Sequence, residues 1–162
     1  MPDITPEQGR KITAEAMTWK DTPYSLVGDK SIKGQGGDCS GSTFLIYAKC
    51  ELPYPYQDTS KFASYADTSG RFRKLDGKEA RQDGDILLWD EHMAIYSTFK
   101  AALEAPLRTT ARVNKAGKPW TQINDMWTAH HTDGPPYGTA ASKYFEDGDI
   151  PDTYRYVLLP ST

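Results

Sequence analysis

A chain of 162 residues with 38% apolar and 12% aromatic side chains is long enough to bury a real core, so we expect one domain over residues 1–162. Its net charge of -3, with both signs mixed and no basic block, gives no electrostatic case for nucleic acid or an anionic membrane as partner. No stretch is apolar for long enough to cross a bilayer, so membrane insertion is not expected.

The first seven residues are neither basic nor apolar, and no signal peptide is expected. The chain is then made in the cytosol, leaves by a route that reads no cleavable leader, or is a mature form whose leader is gone. Thr5-Pro6-Glu7-Gln8 opens a helix, with Thr5 as cap, Pro6 in the first turn and Gln8 completing a capping box. Ile12, Ala16 and Trp19 recur at helical spacing and should face the core. Asp21-Thr22-Pro23 stops this helix, and a short loop carrying Tyr24 follows.

A glycine-rich lead then runs into Asp38-Cys39-Ser40-Gly41, and a helical pattern runs out of it to near Pro53. Asp38 is the expected N-cap, which puts Cys39 in the first turn. Cys39 and Cys50 on one helix would stand roughly 16 Å apart. That is beyond the ~7 Å Cα limit of a disulfide, so both should be free thiols. Cys50 closes an apolar run and reads as structural.

Pro53 and Pro55 mark a loop, and Asp58-Thr59-Ser60 is expected to cap a short helix through Tyr65-Ala66. Residues 71–75 alternate like an edge strand. A turn at 82–85 leads to a buried strand at 86–89, a turn at 90–91, and a second strand at 92–97. Residues 101–105 read as a third strand, and Arg112-Val113 as a further short piece. From 114 to 152 the chain is rich in Gly, Pro, Asp and aromatics, and reads as a loop-rich insertion. Residues 154–159 close with a strand. Helices first, then a meander of antiparallel strands, give an α+β fold.

Backbone N–H groups and the positive end of a helix dipole favour a thiolate at Cys39, the attacking form of cysteine. The plain alternative is a small buried residue starting a core helix. A cysteine nucleophile needs a base and an orienting group. His92 opens a strand after a tight turn and is the best base. Strand alternation puts His92, Ala94 and Tyr96 on one face and Met93 and Ile95 on the other, with small Ala94 leaving room for a helix end. A hairpin turning near 97–100 would bring Glu104 opposite His92 or one diagonal away, where it could fix the imidazole tautomer. The plain alternative for Glu104 is an exposed strand glutamate. His130 and His131 are the rival histidines, and at least one should be a surface loop residue. Cys39, His92 and one of that pair could in principle bind zinc. No spacing here matches a zinc pattern, and no metal or cofactor is expected.

Four segments in register resemble the NlpC/P60 family of papain-like cysteine peptidases, which cut stem peptides of bacterial cell walls. Residues 22–28, around Pro23-Tyr24, look like the family's lead-in. Asp38-Cys39-Ser40-Gly41 matches its nucleophile motif. Asp83-Gly84-Asp85 with Ile86-Leu87-Leu88-Trp89 looks like its Gly-Asp strand. His92-Met93-Ala94-Ile95-Tyr96 matches its histidine strand. The likeness covers about residues 10–113. The lead-in departs at Ser25-Leu26 and at Asp29, which stands where the family has a second glycine. Leu103-Glu104-Ala105 stands where the family usually carries its third catalytic residue, a histidine.

The resemblance implies a papain-like core, with the nucleophile at a helix N-terminus packed on an antiparallel sheet. It implies a hydrolase with Cys39, His92 and Glu104 as catalytic residues. Tyr24 would help the Cys39 amide form the oxyanion site, and Asp38 and Ser40 would lie near the amine end of a substrate. A small version without a leader or wall-binding repeat resembles the amidase effectors that bacteria inject through type VI secretion, and a phage source is also open. The implied partners are a peptidoglycan peptide and an immunity protein, and the implied place of action is the periplasm or cell wall after export. Two other readings stand beside this one. The first is a papain-like acyltransferase. The second is a non-catalytic module that binds wall peptides or a partner through Trp120, Trp127 and Tyr137.

Overall fold

Helix α1 spans Pro6–Met17 and opens on the capping box expected of it. The Gln8 amide donates to Thr5 Oγ1 at 3.1 Å, and the Thr5 amide donates to Gln8 Oε1 at 2.8 Å. Ile12, Ala16 and Trp19 are all buried, Trp19 just past the helix end. This is a computed structural model that describes residues 2–19, 27–90, 92–96 and 151–159.

Helix α2 spans Cys39–Lys49, with Asp38 as its N-cap and Cys50 closing it. Cys39 and Cys50 are both free thiols. Helix α3 spans Phe62–Ser69 and ends on Gly70 in the left-handed conformation. It begins just past the expected cap at Asp58-Thr59-Ser60 and ends later than the expected Tyr65-Ala66. The Asp58 carboxylate instead holds a tight turn, accepting from the amides of Ser60 and Lys61, both at 3.0 Å. Regular helix starts only after that turn.

Among the described residues, four strands form one antiparallel sheet: β1 (Phe72–Lys74), β2 (Ile86–Leu88), β3 (Met93–Ile95) and β4 (Asp152–Tyr156). Their order is β1-β4-β2-β3, so the expected meander is wrong in one respect: the last strand is inserted between the first two. The side chains of β4 explain its central place. Tyr154 and Tyr156 are buried among the core aromatics, and Arg155 is buried beside Asp85. A strand covered on both faces needs neighbours on both edges. β4 also starts and ends earlier than expected, with Asp152 opening it and Val157 making only a bridge to Asp3. Strand β1 is at an edge, as its alternation suggested. The expected strand at 101–105, the piece at 112–113 and all of the insertion except Pro151 and Asp152 lie outside the described residues.

The sheet has two unlike faces. Ile86, Leu88, Met93, Ile95, Tyr154 and Tyr156 join the helices in the main core. Leu87, Trp89 and Ala94 form a smaller cluster on the other side. The main core is rich in edge-on aromatic pairs, a geometry that suits the ring quadrupole. Phe72 sits 5.0 Å from Tyr54 and 5.2 Å from Tyr156, ring to ring.

The turn before β2 is pinned from three sides. Asp85 is fully buried and accepts from Arg155 Nε at 3.0 Å, from Arg155 Nη2 at 2.8 Å and from the Gln82 amide at 2.9 Å. The Tyr47 hydroxyl donates to the Gly84 carbonyl. Helix α1 presses on the same turn at Gly9, where a Cβ would stand 1.9 Å from the Asp83 carbonyl oxygen. The Gly-Asp segment therefore serves as the joint between α1, α2 and the sheet.

Candidate active site

The N-terminus of α2 is built from the motif residues themselves. Asp38 accepts from the Gly41 amide at 2.8 Å through Oδ1, which caps the helix. Through Oδ2 it accepts from the Gly28 amide at 2.7 Å. That second bond ties a single 3₁₀ turn, Gly28–Lys30, to the helix start. Ser31 tightens the tie, donating to the Gly28 carbonyl at 2.7 Å and accepting from the Asp38 amide at 3.3 Å. Gly41 is required by this packing, because a Cβ there would lie 2.0 Å from the Gly28 carbonyl oxygen.

Cys39 follows the cap and is buried. Its thiol meets the Met93 backbone amide. The hairpin register explains why that amide is available. The Trp89 amide donates to the His92 carbonyl at 2.8 Å, and the Tyr96 amide donates to the Asp85 carbonyl at 2.8 Å. Antiparallel pairs alternate between bonded and non-bonded, so Leu88 and Met93, which stand opposite each other, do not exchange hydrogen bonds. The Met93 N–H therefore points away from β2, toward α2. This places the thiol at the backbone of the residue next to His92.

His92 closes the β2–β3 hairpin opposite Trp89. It is buried, and its ring stacks on Trp89 with centroids 5.6 Å apart and planes 29° from parallel. The faces divide as alternation required. Ala94 joins the Trp89 cluster with Tyr96 packed against it, while Met93 and Ile95 join the main core. Cys39 also belongs to the main core. The helix end thus meets the strand at the Met93 amide.

Burial sets the charge state of both groups. It pushes the Cys39 thiol up to about 12 from an ordinary 9.0, and the Asp38 carboxylate adds to the rise. The Met93 amide and the N–H groups of Ser40 and Cys39 pull it down, but by less. Burial also holds His92 down at about 3, against an ordinary 6.5. The expectation of a standing thiolate is therefore corrected. The helix N-terminus does favour the anion, but desolvation outweighs it, and the resting pair is a neutral thiol and a neutral imidazole.

Ser40 is buried and lies between Asp38 and Tyr56. Its Oγ donates to Asp38 Oδ1 at 3.4 Å and stands 2.9 Å from the Tyr56 hydroxyl. The sequence reading did not single out Tyr56 or Tyr54. The run Pro53-Tyr54-Pro55-Tyr56, with a tyrosine after each proline, was the available signal. Phe44 of α2 meets both rings edge-on, at 5.8 Å for Tyr54 and 5.7 Å for Tyr56. Tyr54 is buried, and its hydroxyl has no hydrogen-bond partner among the described residues.

Tyr24, Glu104, His130, His131, Trp120, Trp127 and Tyr137 lie outside the described residues. Among the described residues no group of three or more His, Cys, Asp or Glu could hold a metal ion, and no helix is long and apolar enough to cross a membrane. Two open grooves, of about 590 and 490 Å³, are lined by residues of α3, β1, β4 and the 75–81 loop among others, and neither is lined by Cys39 or His92. No family model, curated protein or solved structure matches this chain.

Proposed function

We propose that this protein is a papain-like cysteine amidase of the NlpC/P60 type, hydrolysing amide bonds in peptidoglycan stem peptides. The observation that carries the proposal is the meeting of Cys39, at the capped start of α2, with the Met93 amide beside His92. The four motifs in register supply the substrate class, and the role proposed with it is that of an antibacterial effector acting in the periplasm or cell wall after export. An immunity protein is the partner this role implies.

In this mechanism the Cys39 sulfur attacks the amide carbonyl carbon while its proton passes to His92. The resting pair is neutral, so the proton moves as the sulfur attacks. Entry of a polar peptide relieves the desolvation that separates the two groups. The amides of Cys39 and Ser40 lie at the helix start and act on the sulfur together with that of Met93, and they are suited to the oxyanion. His92 returns the proton to the leaving amine. Water, deprotonated by His92, then cleaves the thioester and restores the thiol. Glu104 is the sequence's choice to orient His92, and Tyr24 its choice to assist the oxyanion.

The test is a digest of purified Gram-negative peptidoglycan with wild type and Cys39→Ala, read by chromatography and mass spectrometry. New fragments from wild type alone are expected, and their masses name the bond cut. His92→Ala should nearly abolish them. Equal cleavage by Cys39→Ala would refute the mechanism.

The neutral, buried state of the pair favours one second reading, a module that binds wall peptides without cutting them. It predicts no fragments from wild type, and equal binding of peptide by wild type and Cys39→Ala.

A further inference from the structure

We propose that Tyr56 is a substrate-binding residue, presenting a hydrogen-bond acceptor to a donor group of the peptide. The inference rests on the amidase reading above and deepens it. Asp38, the acidic residue of the nucleophile motif, has both carboxylate oxygens engaged: Oδ2 by the Gly28 amide, Oδ1 by the Gly41 amide and the Ser40 hydroxyl. It is also buried. A peptide reaching Cys39 therefore meets Asp38 only through what Asp38 polarises.

The chain of hydroxyls leading outward from Asp38 is assigned its direction from the carboxylate. Asp38 accepts, so the single Ser40 proton goes to it, at 3.4 Å. Either hydroxyl of the 2.9 Å Ser40–Tyr56 pair could donate; with the Ser40 proton given to the carboxylate, the Tyr56 hydroxyl is the donor to Ser40 Oγ. Tyr56 is left with lone pairs directed away from Ser40, and its side chain is partly open to solvent. The group it takes must be a donor, an ammonium or an amide N–H.

The surroundings hold the hydroxyl where it is. A Cβ on Gly28 would stand 2.9 Å from Tyr56 Oη, so the absent side chain is what admits the phenol. Phe44 buttresses the ring edge-on. The Tyr56 hydroxyl is thus fixed against the residue that follows the nucleophile, and on a different element from the Met93 amide that meets the sulfur.

Tyr56→Phe keeps the ring and removes the acceptor. The readout is steady-state hydrolysis of a soluble stem peptide by wild type, Tyr56→Phe and Ser40→Ala, with melting temperatures measured alongside. Tyr56→Phe is expected to raise KM about tenfold, the worth of one hydrogen bond to substrate, with kcat within twofold. Ser40→Ala should raise KM in the same direction, because the Tyr56 proton then turns outward. Hydrolysis by wild type with an unchanged KM in Tyr56→Phe would overturn the inference and leave the amidase reading standing. A fall in kcat at constant KM would overturn it too, by moving Tyr56 from the substrate to the nucleophile. No hydrolysis by wild type would overturn both.

Discussion

Acid should destabilise this protein through His92 more steeply than a protein of its charge would otherwise show. The imidazole is buried and stays neutral down to about 3 in the fold, whereas an unfolded histidine takes up a proton near 6.5. Between those values the unfolded chain binds a proton that the folded chain refuses, so stability falls as pH falls through this window. The slope approaches about 1.4 kcal/mol per pH unit, and the loss from neutral pH to 4.5 is about 3 kcal/mol. That is a large part of the ~5–15 kcal/mol that holds a domain together. His92→Phe isolates the effect, since phenylalanine can stack on Trp89 but cannot titrate. Urea unfolding of both proteins from pH 7.5 to 4.5 is the assay. Carboxylates contribute to both curves, so the difference in slope belongs to His92. Wild type should lose about 3 kcal/mol more than the variant across that range. Parallel curves, or a His92 imidazole titrating near 6.5 by NMR, would refute the reasoning.

Cys39 gives the matching prediction at the other end of the scale. With the thiol raised from 9.0 to about 12, the thiolate fraction at pH 8 falls about a thousandfold, and alkylation by iodoacetamide should slow by that order against free cysteine. Peptide mass spectrometry at short times reads it, and labelling of Cys39 at the rate of free cysteine would show that the helix N-terminus outweighs burial after all. Gly41→Ala tests the packing under the site. A Cβ there would lie 2.0 Å from the Gly28 carbonyl oxygen and 2.2 Å from Ser31 Oγ, and backbone cannot yield as a side chain would. The variant should lose about 2–3 kcal/mol in urea unfolding, and a loss under 0.5 would mean that the Gly28 turn moves freely.

The helices were legible because their signals are local. Thr5, Pro6 and Gln8 specify a helix start within four residues, and Asp38 before an apolar run does so again. Asp58 shows where such signals mislead. The same carboxylate that can cap a helix can close a tight turn, and the sequence does not say which the chain adopts. The order of the strands was not legible for a different reason. Residues 154–156 read as a strand from composition alone. Its insertion between β1 and β2 depends on Arg155 finding Asp85, seventy positions away, and on Tyr156 finding Phe72. Contacts of that separation leave no mark on local pattern.

At the site, alternation placed His92, Met93 and Ala94 correctly, but the charge state was misread because burial cannot be seen in a motif. The structure also changes what the motif is worth as an argument for catalysis. Asp38 caps the helix and anchors Gly28, Ser40 bridges to Tyr56, and Gly41 lets the Gly28 turn approach. A protein with no chemistry at all would keep those three residues for those three reasons. Packing makes no such demand for sulfur at position 39. The cap needs only Asp38, and alanine would fill a small buried first-turn position without desolvating a titratable group. A thiol directed at an outward-facing backbone amide, one residue from the only described histidine, is what the packing leaves unexplained. The proposal of a nucleophile rests on that contact more than on the motif, and Cys39→Ala is the variant that separates them: on that proposal it is expected to leave the fold intact and to abolish cleavage.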